Sequence, residues 1–258
     1  MPNSKRLYQK IGQQLKNQIL AGTYPIGSRL LPEREIAEQF KVSRTLIREA
    51  LIMLELEGLI NIKKGSGVYI IKLPSLNNSQ NNLIENNSLG LNEEDYGPFE
   101  VLQARQIIES SIAAAAATQV TKADIAEMRK VLLDEKQAIL AGGTGEENDQ
   151  RFHYLIARAT QNEMMLEILE KMWRVRINSP MWVKLHEHIE DKNYRKQWLL
   201  DHENILNALQ KKDPAGARQA MWQHIENVKE ILMKLSDVDD PDFDGYLFES
   251  IPYKTLFQ

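Results

Sequence analysis

Apolar positions recur at helical spacing from the start of the chain. Leu7, Ile11, Leu15, Ile19 and Leu20 share one face, which predicts an amphipathic helix over residues 5–21. The turn residues Ala21-Gly22-Thr23-Tyr24-Pro25-Ile26-Gly27 end it. A second helix opens with Pro32 at its first position, where the missing N–H costs nothing, and turns Ile36, Ala37 and Phe40 inward. Lys41-Val42 makes a corner. Ser43 caps a third helix, since its hydroxyl can accept a free backbone N–H of the first turn. That helix buries Leu46, Ile47, Ala50 and Leu51, sets Arg44, Thr45 and Arg48 on the opposite side, and stops at Gly58. The period then changes to that of strands. Residues 59–63 and 68–71 are rich in β-branched side chains and flank Lys64-Gly65-Ser66-Gly67, which predicts a hairpin with a basic, glycine-rich tip.

Residues 74–97 lose this patterning. They are rich in asparagine and poor in apolar side chains, the composition of a flexible linker. From Pro98 the pattern is helical again, with segments over 99–118, 121–140, 147–160, 162–174, 194–211 and 214–235. Thr121 is a cap with Asp124 at the capping-box position, and Pro214 suits a first helical position. The predicted organisation is mostly α: a winged helix-turn-helix domain over 1–73, a linker over 74–97, an all-helical bundle of six or seven helices over 98–236, and an acidic, aromatic tail over 237–258.

Composition narrows the class. A chain of 258 residues, 43% hydrophobic and 26% charged, has room for two domains with separate cores. It has no cysteine, which excludes disulfides and thiolate metal sites. No signal-peptide pattern opens the chain and no apolar run has membrane-spanning length, so a cytoplasmic location is expected, with no membrane partner. The formal charge of −4 is unevenly spread. Residues 1–74 hold 12 Lys and Arg against 6 Asp and Glu, and the remainder holds 20 against 30. A basic N-terminal part on an acidic body marks nucleic-acid binding confined to one domain.

The chemistry follows the same division. Arginine forks at the start of an exposed helix suit phosphates and the O6/N7 edge of guanine, and a helix-turn-helix puts the start of its second helix in the major groove. Alone, the hairpin of helices also reads as a small solvated basic motif; the glycine wing, with Lys63 and Lys64, makes double-stranded DNA the better partner. All five histidines lie in the C-terminal part. Asp149 and His153 share a helix face, and His202 and His224 sit on inward faces. Three imidazoles and a carboxylate inside a bundle suit a first-row metal ion. The alternatives at this stage are histidines serving as ordinary core residues and an enzyme site of hydrolase or isomerase type, although no nucleophile–base motif accompanies the cluster. His186 and His188, two residues apart, read as surface or second-layer residues.

The runs G-x-R-L-x-P-E-R-E-I-A, V-S-R-T-x-I-R-E-A-L and K-G-S-G-V-Y, within residues 27–69, resemble the GntR superfamily of bacterial transcription factors. The Arg105/Glu109 pair, Asp149-x-x-x-His153, Asp201-His202-Glu203 and the His224 helix resemble its FadR-like branch with an FCD effector domain. Stretches such as YGPFEVLQARQIIES and DFDGYLFES are similar to enterobacterial hexuronate-utilisation repressors of the glucuronate/fructuronate branch. The resemblance implies a non-enzymatic, homodimeric repressor on a palindromic operator, released by a hexuronate or keto-hexuronate. It implies DNA contacts by Arg34, Ser43, Arg44, Thr45, Arg48, Lys64 and Gly65, and metal ligation by Asp149, His153, His202 and His224, with zinc or nickel as the ion. Arg105 would face the effector and Asn227 would bind a sugar hydroxyl. Arg174 and Arg176 are further candidates for the effector, with a solvated face as the preferred reading. A regulator of another small carboxylate, and a metal-dependent sugar-acid enzyme fused to a DNA-binding domain, remain as other readings.

Overall fold

The computed structural model describes residues 6–63, 66–74, 96–187 and 194–233. Among them are ten helices and one two-stranded sheet: α1 Leu7–Leu20, α2 Glu33–Phe40, α3 Arg44–Leu56, β1 Ile60–Lys63, β2 Gly67–Ile70, α4 Pro98–Gln119, α5 Lys122–Leu140, α6 Glu146–Arg158, α7 Glu163–Asn178, α8 Pro180–Glu187, α9 Tyr194–Gln210 and α10 Pro214–Met233. The chain divides into two compact units. Of the described residues, the first holds those up to Phe99 together with those of Asn178–Ile189 and Leu232 and Met233; the second holds those of Glu100–Ile177 and Glu190–Ile231.

In the first unit α1 packs along α3, and Gly12 makes that approach close: a Cβ there would collide with the Met53 side chain. Leu15, Ile19, Ile36, Ile47, Leu51 and Leu54 form the core. The α2–α3 corner turns on Lys41, which adopts left-handed backbone (φ 53°). Ser43 caps α3, its Oγ accepting from Leu46 N at 3.4 Å, and Gly58 takes the left-handed conformation (φ 68°) after the last turn. β1 and β2 are antiparallel in the register Ile60↔Ile70 to Lys63↔Gly67. Residues 27–30 pair with the other edge of β2, through Gly27 N to Ile70 O (2.8 Å) and Leu30 N to Val68 O (2.8 Å), an extension that the sequence pattern did not reveal.

The second unit is all helical among its described residues. Phe152, Leu155, Trp173, Trp198, Ile205 and Leu209 fill its centre, with α5 packed on both α6 and α9. Thr121 and Asp124 form a reciprocal capping box at the start of α5.

Three local expectations change. Pro32 flanks α2 with extended backbone (φ −52°, ψ 147°) instead of forming its first helical residue. α7 runs to Asn178, four residues past the predicted end, and α8 follows where no helix is expected. Pro180 at the first position of α8 was the missed start signal; eight residues are too few for periodicity to declare themselves. Most of the proposed linker (75–95) and all of the proposed tail (237–258) lie outside the described residues.

Replacing Thr121 by Ala removes an N-cap oxygen that accepts from Asp124 N, and should destabilise the helical unit by about 1 kcal/mol, read as a lowered urea midpoint with unchanged slope.

Candidate metal centre and nucleic-acid interface

Three helices of the second unit bring together four polar side chains that are almost wholly buried. α6 supplies Asp149 and His153 one turn apart, α9 supplies His202, and α10 supplies His224. Asp149 Oδ1 lies 3.4 Å from His153 Nε2 and 3.4 Å from His202 Nε2, and His202 Nε2 lies 3.3 Å from His224 Nε2. Atoms bonded to one ion at roughly 2.0–2.1 Å in a tetrahedron stand about 3.3–3.4 Å apart. Asp149 Oδ1 and His153 Nε2 are buried and have no hydrogen-bond partner. Orphaned lone pairs of this kind are costly unless a cation occupies the space they face, so the donor set fits a divalent transition metal.

A second layer of carboxylates stands behind the imidazoles. Glu109 of α4 receives the Nδ1–H of His153 at 2.5 Å, and Glu135 of α5 receives that of His202 at 3.0 Å. Asp201 Oδ2 lies 3.5 Å from His224 Nδ1 and accepts from the Asn227 amide at 2.8 Å. A carboxylate on Nδ1 fixes the tautomer that leaves the Nε2 lone pair available, and it raises the basicity of that nitrogen. Sequence reasoning missed Glu135 and gave Glu109 and Asp201 no role. For Glu135 the signal existed: with Met128, Val131 and Leu132 it makes the buried stripe of α5, where a carboxylate has no place without a partner.

Charge is correspondingly displaced. Burial would raise the Glu109 carboxyl, but Arg105 and His153 outweigh it and hold it at about 2. Burial likewise opposes ionisation of Asp149, but the neighbouring His153, His202 and Arg176 outweigh it and bring it well below the usual carboxylate range. His202 moves the other way: despite burial, Asp149 and Glu135 lift it to about 9. His224 is pushed down by burial and by its neighbour His202.

The residues expected to face an effector have partners within the unit. Arg105 is buried and doubly bonded to Glu109 (2.5 and 3.4 Å), with its guanidinium 4.5 Å from the Trp173 ring centre. Asn227 is bound to Asp201, whose carboxylate lies 3.5 Å from His224 Nδ1. Arg174 is exposed, as expected, but Arg176 is not: one turn after Trp173, it shares the buried face of α7. Its guanidinium lies 4.4 Å from the Trp173 ring centre and donates to Asp149 and Glu146, each at 3.4 Å. Burial pulls it down to about 10, Asp149 opposing. His186 belongs to the first unit, where it packs on Trp182, and His188 lies outside the described residues.

The expected DNA face is also recast. Arg34 is exposed and paired with Glu38 at 3.3 Å. Ser43 caps α3 and lies 3.0 Å from the Thr45 hydroxyl. Arg44, Thr45 and Arg48, expected on a solvated face, are buried in the first unit. Arg48 donates to Glu33 at 2.9 Å and to the backbone carbonyls of Leu232 and Met233 at 2.7 and 2.5 Å. Amphipathic periodicity separates apolar from polar faces, but it does not reveal that carbonyls elsewhere in the unit will cover the polar one. Lys64 and Gly65 lie outside the described residues.

Removing a second-layer charge tests the centre. Glu135→Gln should weaken metal binding roughly 10- to 100-fold, measured by competition with a chromophoric chelator. Metal ligation needs neutral His202, which carries a proton below about 9 in the free site. Affinity should therefore rise with pH through neutrality and flatten above that value, with proton release visible as a buffer-dependent heat of binding.

Comparison with known proteins gives these features a context. Residues 7–70 match the family described as "Bacterial regulatory proteins, gntR family", and residues 100–227 match the FCD domain. The chain is 48% identical to the "Uxu operon transcriptional regulator" of Escherichia coli K12, covering 97% of this chain and 96% of that one. It is 48% identical to the "Uxu operon regulator" of Haemophilus influenzae (96% and 90% covered) and 44% identical to the "Exu regulon transcriptional regulator" of E. coli K12 (96% and 93% covered). These relatives are named regulators, which sets aside the enzyme reading. The chain belongs to the GntR family of bacterial transcriptional regulators, in the group whose second domain is of the FCD type.

Proposed function

We propose that the chain is a metal-dependent repressor of hexuronate use, which binds a palindromic operator as a cytoplasmic homodimer and leaves it when a sugar acid binds the helical unit. The observation that carries this reading is the cluster of Asp149, His153, His202 and His224, with its unpartnered Oδ1 and Nε2 atoms, in a chain whose N-terminal residues match a DNA-binding family. The names of its Uxu and Exu relatives support uronates as the effector class.

Three imidazole nitrogens and one carboxylate oxygen suit zinc or nickel. A bound divalent ion supplies a positive centre for the effector's carboxylate and its adjacent hydroxyl or carbonyl oxygen. Around it, Glu109, Glu135 and Asp201 hold the imidazoles in place, and Asn227 steadies Asp201. Arg105 supplies fixed charge beside Glu109. In DNA binding, Arg44, Thr45 and Arg48 of α3 read base edges. Ser43, Arg34, Lys64 and Gly65 meet the phosphate backbone. This role requires the α3 face to be uncovered, since Arg48 is committed to Glu33 and to backbone carbonyls. An effector that binds one arrangement better than the other shifts the balance between them by that difference in affinity and no more.

His202→Ala should lower metal content and abolish sugar-acid-induced operator release while operator binding without effector persists; normal metal occupancy would remove His202 from the ligand set. Arg44→Ala should cost about 1–3 kcal/mol of operator binding with sugar-acid binding intact, and an unchanged operator affinity would show that α3 is not the reading helix.

A further inference from the structure

Residues 21–31 and 58–72 hold Arg29, Lys63, Lys64 and Lys72 and not one aspartate or glutamate, in a chain whose net charge is −4. These segments build the small sheet of the first unit. Arg29 forms a bridge with Tyr69 on one edge of β2, and Tyr69 pairs with Asn61 of β1 on the other. Residues paired across antiparallel strands turn their side chains to the same face, and alternate residues turn to the opposite one. Leu30, Ile60, Val68 and Ile70 share the inner face, and all four are buried. Arg29, Asn61, Lys63 and Tyr69 share the outer face, where the first three are exposed and Tyr69 is half-buried.

Gly67 makes room for the Arg29 side chain. It opens β2, pairs with Lys63 and has a positive φ of 114°. The Arg29 guanidinium occupies the space that a Cβ at Gly67 would take. A strip of bare backbone is thus flanked by two cations, and the Lys63 ammonium stands 5.2 Å from the centre of the Tyr69 ring. Among the described residues no carboxylate lies within ion-pair distance of Arg29, whereas Arg34 has Glu38 and Arg48 has Glu33.

Cations held together on a face without acids repel one another, and an anion between them turns that cost into attraction. The chemistry that complements such a face is a polyanion. The planar fork of an arginine suits the oxygens of a phosphate, and the missing side chain at Gly67 lets a sugar-phosphate strand come close to the sheet.

We infer that Arg29, on the strand ahead of α2, is a further DNA-contacting residue and holds a backbone phosphate at the outer face of the sheet. The inference rests on the DNA-binding reading above and extends it to a residue to which the sequence pattern gave no role. A contact of this kind carries no sequence information, so it strengthens binding to every duplex alike and adds one phosphate to the salt dependence.

The test is fluorescence anisotropy of the full-length protein on two labelled duplexes over a series of KCl concentrations. One duplex is selected by the wild-type protein from a random pool, and the other is a scrambled duplex of the same length. Arg29→Gln should weaken both by the same factor and reduce the slope of log affinity against log salt by about 0.9, the share of one phosphate. Arg29→Lys should keep most of that slope. Arg129→Gln, which removes an exposed arginine of the second unit, should leave it unchanged. An unchanged slope in Arg29→Gln, a loss confined to the selected duplex, or an equal change in Arg129→Gln overturns the inference and leaves the DNA-binding reading standing. A wild-type protein that binds neither duplex removes that reading and the inference with it. If Arg29→Gln does not fold, modification of the wild-type protein by phenylglyoxal decides. DNA should protect Arg29 from the reagent, and an equal rate of modification with and without DNA overturns the inference.

Discussion

The second unit is organised around a constraint that apolar packing cannot meet: three imidazoles and a carboxylate are held out of water with their lone pairs converging. Each of these groups is tolerable only if its remaining polar atoms are satisfied. The solution draws on every helix of the unit among the described residues. α4 gives Arg105 and Glu109, α5 gives Glu135, and α6 gives Asp149 and His153. α7 gives Arg176, α9 gives Asp201 and His202, and α10 gives His224 and Asn227. The apolar residues Phe152, Trp173 and Trp198 then seal what the polar network arranges, with Trp173 lying against both Arg105 and Arg176. Core and site are thus one construction, and a change in either is felt in both.

The two units differ in how much of them can be read from residues alone. The first is specified by short-range signals. Ser43 caps, Gly58 terminates, the change from helical to alternating period announces the hairpin, and each of these acts within a few residues of itself. That Asp149, His153, His202 and His224 come together in the second unit was also legible, because four residues at inward positions of three helices are a periodic statement. What supports that set was not. Glu109 and Glu135 meet their histidines across 44 and 67 residues of chain, and no local rule links them. Arg176 was misread for the same reason, since an arginine looks solvated until the carboxylate that buries it is known.

Family membership and geometry constrain different things. Similarity to the Uxu and Exu regulators across nearly the whole chain places the protein among transcriptional regulators. The buried convergence of Asp149, His153, His202 and His224 constrains what the second unit can hold, and it does so independently of any relative.

The pairing of Arg48 with Glu33 and with the carbonyls of Leu232 and Met233 bears on recognition by α3. A guanidinium already supplied with a carboxylate and two backbone oxygens gains nothing from new acceptors as such. Any phosphate or base edge that Arg48 meets has to displace partners of similar quality, so contact with DNA by this residue is an exchange reaction. Its free energy is a small difference between two well-satisfied states, which lets modest changes elsewhere in the chain reverse its sign.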